Sequence, residues 1–180
     1  MSDLNFDFGK TLLLGVCMDV SQSFIEKGFR TIEVVKNALI QKICSEQDFM
    51  VYMSLLENNL PNTTGISTHQ IKTFKEPLDY NISKVLLRCV QMVGQHEDSH
   101  KHILLITNHG ALKDVAKYKT ALRQNENKGH DCLFHVLGIG MVEDYSHLEV
   151  LAKEHNAVFT KITTVEQLNE YIKRIGVKNG

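Results

Sequence analysis

Leu12 to Met18 read LLLGVCM, an unbroken apolar run that opens at Thr11 and ends at Asp19. A strand with one face in water alternates apolar and polar residues. A strand that is apolar at successive positions must be covered on both faces, as in the middle of a parallel sheet. The rest of the chain therefore has to supply flanking strands and two layers of helices. At 180 residues and 43% hydrophobic content it can do so as one domain, residues 1–180.

The pattern beyond the run meets that demand. Ile32, Val35, Leu39 and Ile43 recur at helical spacing, predicting a helix over 28–46, and FMVYMSLL from Phe49 predicts a second strand. ENNLPNTTGIST, Glu57 to Thr68, reads as a long loop. His69 to Phe74 is expected to be an antiparallel edge strand. Ile82, Val85, Leu86, Cys89, Val90 and Val93 write a helix, with Gly94 just past its end. Strand HILLIT from His102, a weaker helix over 111–124 and strand CLFHVLGIG from Cys132 follow. Ser146 with Glu149, and Thr163 with Glu166, have capping-box spacing, and Ala157 to Lys161 is a short strand between them. Leu168, Tyr171, Ile172 and Ile175 form a last helical stripe, closed by Gly176. Strand and helix alternate throughout, so the expected fold is α/β: a doubly wound, mostly parallel sheet of Rossmann type with helices on both faces.

Several function classes are disfavoured. The opening apolar run is far shorter than the roughly 20 residues that span a bilayer, and Asp3 and Asp7 rather than basic residues precede it. Lys plus Arg, 20, nearly balance Asp plus Glu, 21, so no global positive field would gather nucleic acid or anionic lipid. Cys17, Cys44, Cys89 and Cys132 stand apart with no CxxC pair, as expected of reduced residues in a cytoplasmic protein.

The carboxyl end of the first strand carries DVSQS, Asp19 to Ser23. Ligand crevices of open α/β sheets lie beyond the carboxyl ends of the strands. Asp19, Ser21 and Ser23 alternate in this turn, so three oxygens could converge on a hard cation such as Mg²⁺. In the simpler alternative, Asp19 ends the strand and a serine caps the next helix.

DVSQS after an apolar strand resembles the DxSxS signature of von Willebrand factor A domains. ILLITNHG from Ile103 is similar to that family's fourth strand and TDG turn, and FHVLGIG from Phe134 to its fifth strand. The resemblance implies a domain that binds a protein partner rather than turning over a substrate, often within an intracellular complex. It also implies a metal-ion-dependent adhesion site, in which the DxSxS serines and a second-loop threonine hold Mg²⁺ directly, the aspartates act mostly through water, and an acidic residue of the partner completes the shell. Carried over by position, the metal residues are Asp19, Ser21, Ser23 and Asn108. Asn108 stands where the third-loop aspartate is expected, keeping an acceptor oxygen without its charge. PLDYNISKVL from Pro77 aligns with the second loop and puts Tyr80 at the threonine position, with Asp79, Asn81 and Ser83 as substitutes. Two binding readings follow: a weak Mg²⁺ site, and a metal-free interaction surface on the same edge.

Other chemistry is thinner. HEDSHKH places His96, His100 and His102 at spacings zinc could use, although a solvated loop has the same composition. Gly138 and Gly140 make a lone GxG, better read as a tight turn. The enzyme alternative is a Mg²⁺-dependent phosphohydrolase or nuclease using Asp19, with Asp114 or Asp144 completing the site.

Overall fold

The computed structural model describes residues 12–19, 24–26, 29–45, 49–54, 71–74, 82–96, 100–109, 111–129, 132–140 and 145–176. Six strands form one sheet: β1 (Leu12–Asp19), β4 (Phe49–Ser54), β5 (Ile71–Phe74), β6 (His100–Thr107), β7 (Leu133–Ile139) and β8 (Val158–Ile162). Their order is β5-β4-β1-β6-β7-β8, and every pairing is parallel. This is the doubly wound α/β arrangement expected from the alternation. The strand order reverses beside β1, where the chain turns from building one half of the sheet to building the other. Between β1 and the first helix lies a short antiparallel pair that the apolar pattern does not announce, β2 (Phe24–Glu26) with β3 (Phe29–Arg30).

The helices are α1 (Thr31–Ser45), α2 (Ile82–Gly94), α3 (Leu112–Val115), α4 (Lys119–Asn127), α5 (Ser146–Glu154) and α6 (Val165–Arg174). They cover both faces of the sheet. Leu12, Leu14, Val16 and Met18 of β1 are buried with Val34, Val35 and Leu39 of α1 and Leu168 and Ile172 of α6. Leu13 and Cys17 face the other way, among Leu86, Cys89 and Val90 of α2 and Leu148 and Leu151 of α5. The unbroken apolarity of β1 is thus the signature of its two-sided burial. Gly15 sits on the α2 face because nothing larger fits: a Cβ there would overlap Cys89 Sγ and lie 2.9 Å from Ile103 Cδ1. Cys17, Cys89 and Cys132 are buried thiols.

Local expectations fail where a longer-range choice decides. β5 is an edge strand but pairs parallel, not antiparallel, with β4, aligning Val51 with Ile71 and Ser54 with Phe74. The intervening residues 55–70 exceed the dozen or so that a parallel crossover needs. The helix expected over 111–124 is broken by a 3-10 turn at Ala116–Tyr118. Gly94 is the last residue of α2 rather than its cap. Ser146 does not cap α5, whose N-cap is Tyr145 without a side-chain bond. At α6 the capping box is shifted by one residue, with the Thr164 hydroxyl accepting from the Gln167 amide at 3.1 Å and the Gln167 side chain reaching back to the Thr164 amide. Gly176 follows that helix at φ +74°, the left-handed conformation expected of it.

Candidate functional site

β1 and β6 run side by side to the point where the order reverses, and their register pairs Asp19 with Thr107. The chain leaving β6, Asn108 and His109, therefore passes directly over Asp19, and the Asn108 amide donates to the Asp19 carbonyl at 3.4 Å. The third contributor comes from the 3-10 turn after α3, which drives Tyr118, fully buried, under both strand ends.

The bonds among these groups have one consistent direction. The Tyr118 hydroxyl donates to Asp19 Oδ2 at 2.6 Å. An ionised carboxylate only accepts, so the phenolic proton is committed and the Thr107 hydroxyl, 2.8 Å away, must donate to Tyr118. Thr107 Oγ1 in turn accepts the His109 amide at 3.0 Å. The relay runs from the His109 amide through Thr107 and Tyr118 to Asp19, and each donation polarises the next. Burial first, and then the Asp19 charge and its hydrogen bond, push the Tyr118 phenol far above the usual tyrosine range; Thr107 opposes this and Asp114 adds to it. Tyr118 thus acts as a fixed neutral donor at any ordinary pH.

On the solvent side, His109 Nε2 lies 3.7 Å from Asp19 Oδ1, with the two side chains 32% and 16% exposed. Beside them the Asn108 side-chain oxygen is buried and has no hydrogen-bond partner among the described residues. Leaving such an acceptor unpaired costs roughly 1–3 kcal/mol, which sets it apart from the bonded oxygens of Asp19, Thr107 and Tyr118.

Of the residues singled out for Mg²⁺, the fold brings Asp19 and Asn108 together. Ser21 and Ser23 lie outside the described residues, as do Tyr80, Asp79 and Asn81, while Ser83 is in the first turn of α2. The described part of the site offers a hard cation few oxygens. Asp19 Oδ2 accepts from Tyr118 and Thr107 Oγ1 is engaged on both sides, which leaves Asp19 Oδ1, 3.7 Å from His109 Nε2, and the Asn108 oxygen. Among the described residues no group of three or more His, Cys, Asp and Glu is arranged around a metal position. Asp114, a candidate for the hydrolase alternative, lies 3.5 Å from Lys117 Nζ, and Asp144 is outside the described residues. No protein-family model matches the chain, and no curated protein matches it either. The reading of the site rests on its geometry.

Tyr118 and Thr107 are the residues that sequence reasoning missed. Tyr118 sat in a weakly patterned stretch, and only an aromatic residue with a hydroxyl at a core position hinted that a buried polar partner was needed. The zinc candidates separate: His96 follows α2, whereas His100 and His102 belong to β6 rather than to a solvated loop, at its amino end and away from Asp19. No helix among the described residues is long and apolar enough to cross a membrane.

Proposed function

We propose that this protein is a protein-interaction module of the von Willebrand factor A type, contacting its partner through the edge formed by the ends of β1 and β6. The observation that carries this reading is the buried, unpaired oxygen of Asn108 beside the Asp19 carboxylate. A partner supplying a lysine, an arginine or a backbone amide would satisfy that oxygen and meet the carboxylate in one contact. Such charge-assisted bonds are about twice as strong as neutral ones. The Tyr118 relay supports the reading because it fixes the carboxylate before the partner arrives, which lowers the ordering cost of binding. In this version the partner's own donor occupies the place that Mg²⁺ takes in the adhesion sites the sequence resembles, and the module serves as one piece of a larger protein assembly.

The test is capture of the partner from native cells, followed by affinity measurement with substituted chains. Asp19→Ala and Asn108→Ala should each weaken binding about tenfold or more. His109→Ala should weaken it less, and Lys173→Ala on the distant α6 should have no effect. A chelator should leave binding unchanged. Loss of binding on chelation, together with sensitivity to Ser21→Ala, would instead assign the contact to a cation held by Asp19, Ser21, Ser23 and Asn108. Edge substitutions without effect would refute the proposed surface in either version.

A further inference from the structure

At the opposite end of the sheet, where β6 and β7 begin, a second constellation belongs to none of the chemistry above. His102 Nδ1 and His135 Nε2 are 3.0 Å apart, with their rings stacked at a centroid distance of 5.2 Å. His135 Nδ1 is 2.7 Å from the Tyr171 hydroxyl of α6, whose ring meets the imidazole edge-on. These side chains line a cavity of about 560 Å³ together with Leu133, Arg174 and Ile175. That volume lies in the range of small-molecule sites, roughly 300–1,000 Å³.

Two neutral imidazoles and a phenol can order their protons in only two ways. Either Tyr171 donates to His135 and His135 to His102, which leaves Nε2 of His102 as an N–H, or the chain runs in reverse and leaves Nε2 a lone pair. His102 makes no other hydrogen bond among the described residues, so this nitrogen is available to whatever enters the cavity. The surrounding charge favours entry of an anion. Arg174 and His100 line the cavity, and Lys42 of α1 acts on His102. No Asp or Glu is among the described lining residues; Glu170 lies 3.5 Å from Arg174 in an exposed pair. An anion at Nε2 would align every donor of the chain toward itself. The remaining walls are flat or apolar, and Leu133 is 45% exposed there.

We propose that this cavity binds a small organic acid, its carboxylate held by His102 and Arg174 and its flat apolar body lying against His135, Leu133 and Ile175. The site is separate from the partner edge at the other end of the sheet and stands whether or not that reading holds. Its pH dependence follows from what faces the histidines: His100 on the same strand, Lys42 from α1, Tyr171, Arg174 and Glu170 from α6, and Thr160 of β8 acting on Tyr171. In the free protein these surroundings hold both imidazoles neutral. A bound carboxylate favours the protonated form of His102, whose Nδ1–H then donates to His135 Nε2 while His135 Nδ1–H turns to donate to the Tyr171 oxygen, so binding takes up a proton and tightens as pH falls from 8 to 6.

Benzoate and its neutral isostere benzamide are the probes, titrated into the full chain while the imidazole nitrogen resonances of His102 and His135 are followed by NMR. Benzoate should shift both resonances with a dissociation constant below about 1 mM at pH 6. It should bind several-fold more weakly at pH 8, and benzamide should not bind. Arg174→Gln, an exposed substitution that leaves the core intact, should weaken benzoate about tenfold. Equal binding of benzamide, unchanged affinity in Arg174→Gln, or no resonance shift at pH 6 would each overturn the proposal.

Discussion

The stacked imidazoles make a quantitative prediction about acid stability. Burial first, and then His100 and Lys42, pull His102 down from 6.5 to about 4; burial and then His102 do the same to His135. Both are bases with depressed folded-state values, so between these limits the unfolded chain binds more protons than the folded one. Their stabilising contribution is complete above pH 6.5 and is lost as pH falls toward 4. A histidine moved from 6.5 to about 4 loses about 2 kcal/mol by pH 5. His102 reaches solvent, so its share is screened to about half of that. The pair together should lose about 3 kcal/mol between pH 7 and pH 5, a large part of a typical 5–15 kcal/mol total. With a urea slope of roughly 2 kcal/mol per M, the unfolding midpoint should fall by about 1.5 M. Urea titrations at pH 7, 6 and 5 measure this directly. His135→Gln keeps hydrogen-bonding atoms next to His102 and Tyr171 but cannot titrate, so its midpoint should move less than half as far. A wild-type midpoint that stays flat over this range, or a His135→Gln midpoint that falls as steeply as the wild type, would refute the reasoning.

Four further outcomes follow from the structure. Gly15→Ala forces a methyl group into Cys89 and Ile103, and should cost about 1–3 kcal/mol of stability by denaturant unfolding without altering the strand order. Tyr118→Phe removes the donor to Asp19 and should destabilise by about 1–3 kcal/mol. In ultraviolet titration of the wild type, one tyrosine should stay protonated until alkaline unfolding, because a phenol whose folded value is raised loses its stabilising effect as pH climbs past 10. Asn108→Asp puts a second carboxylate beside Asp19, so thermal stability should drop in chelator and recover with millimolar Mg²⁺; no recovery would count against any cation role for this edge.

What the sequence determined is what short-range periodicity encodes. The unbroken apolarity of Leu12 to Met18 demanded an interior strand, and the stripe Ile82, Val85, Leu86, Cys89, Val90 and Val93 is the buried face of α2 residue for residue. Those patterns specify how many faces of an element are covered, and so fix the fold class. They also located Asp19 at a strand end and Asn108 in the loop after another. They carry no information on which distant group comes to lie opposite. The direction of β5 was decided by its pairing with β4 across residues 55–70, and the shift of the capping box to Thr164 by which rotation of α6 buries Leu168 and Ile172. Tyr118 reaches Asp19 from 99 positions away, and His102 meets His135 from 33. The second contact depends on the register of neighbouring parallel strands and the first on how the 3-10 turn docks under the strand ends, and both are set by tertiary packing rather than by any local spacing along the chain.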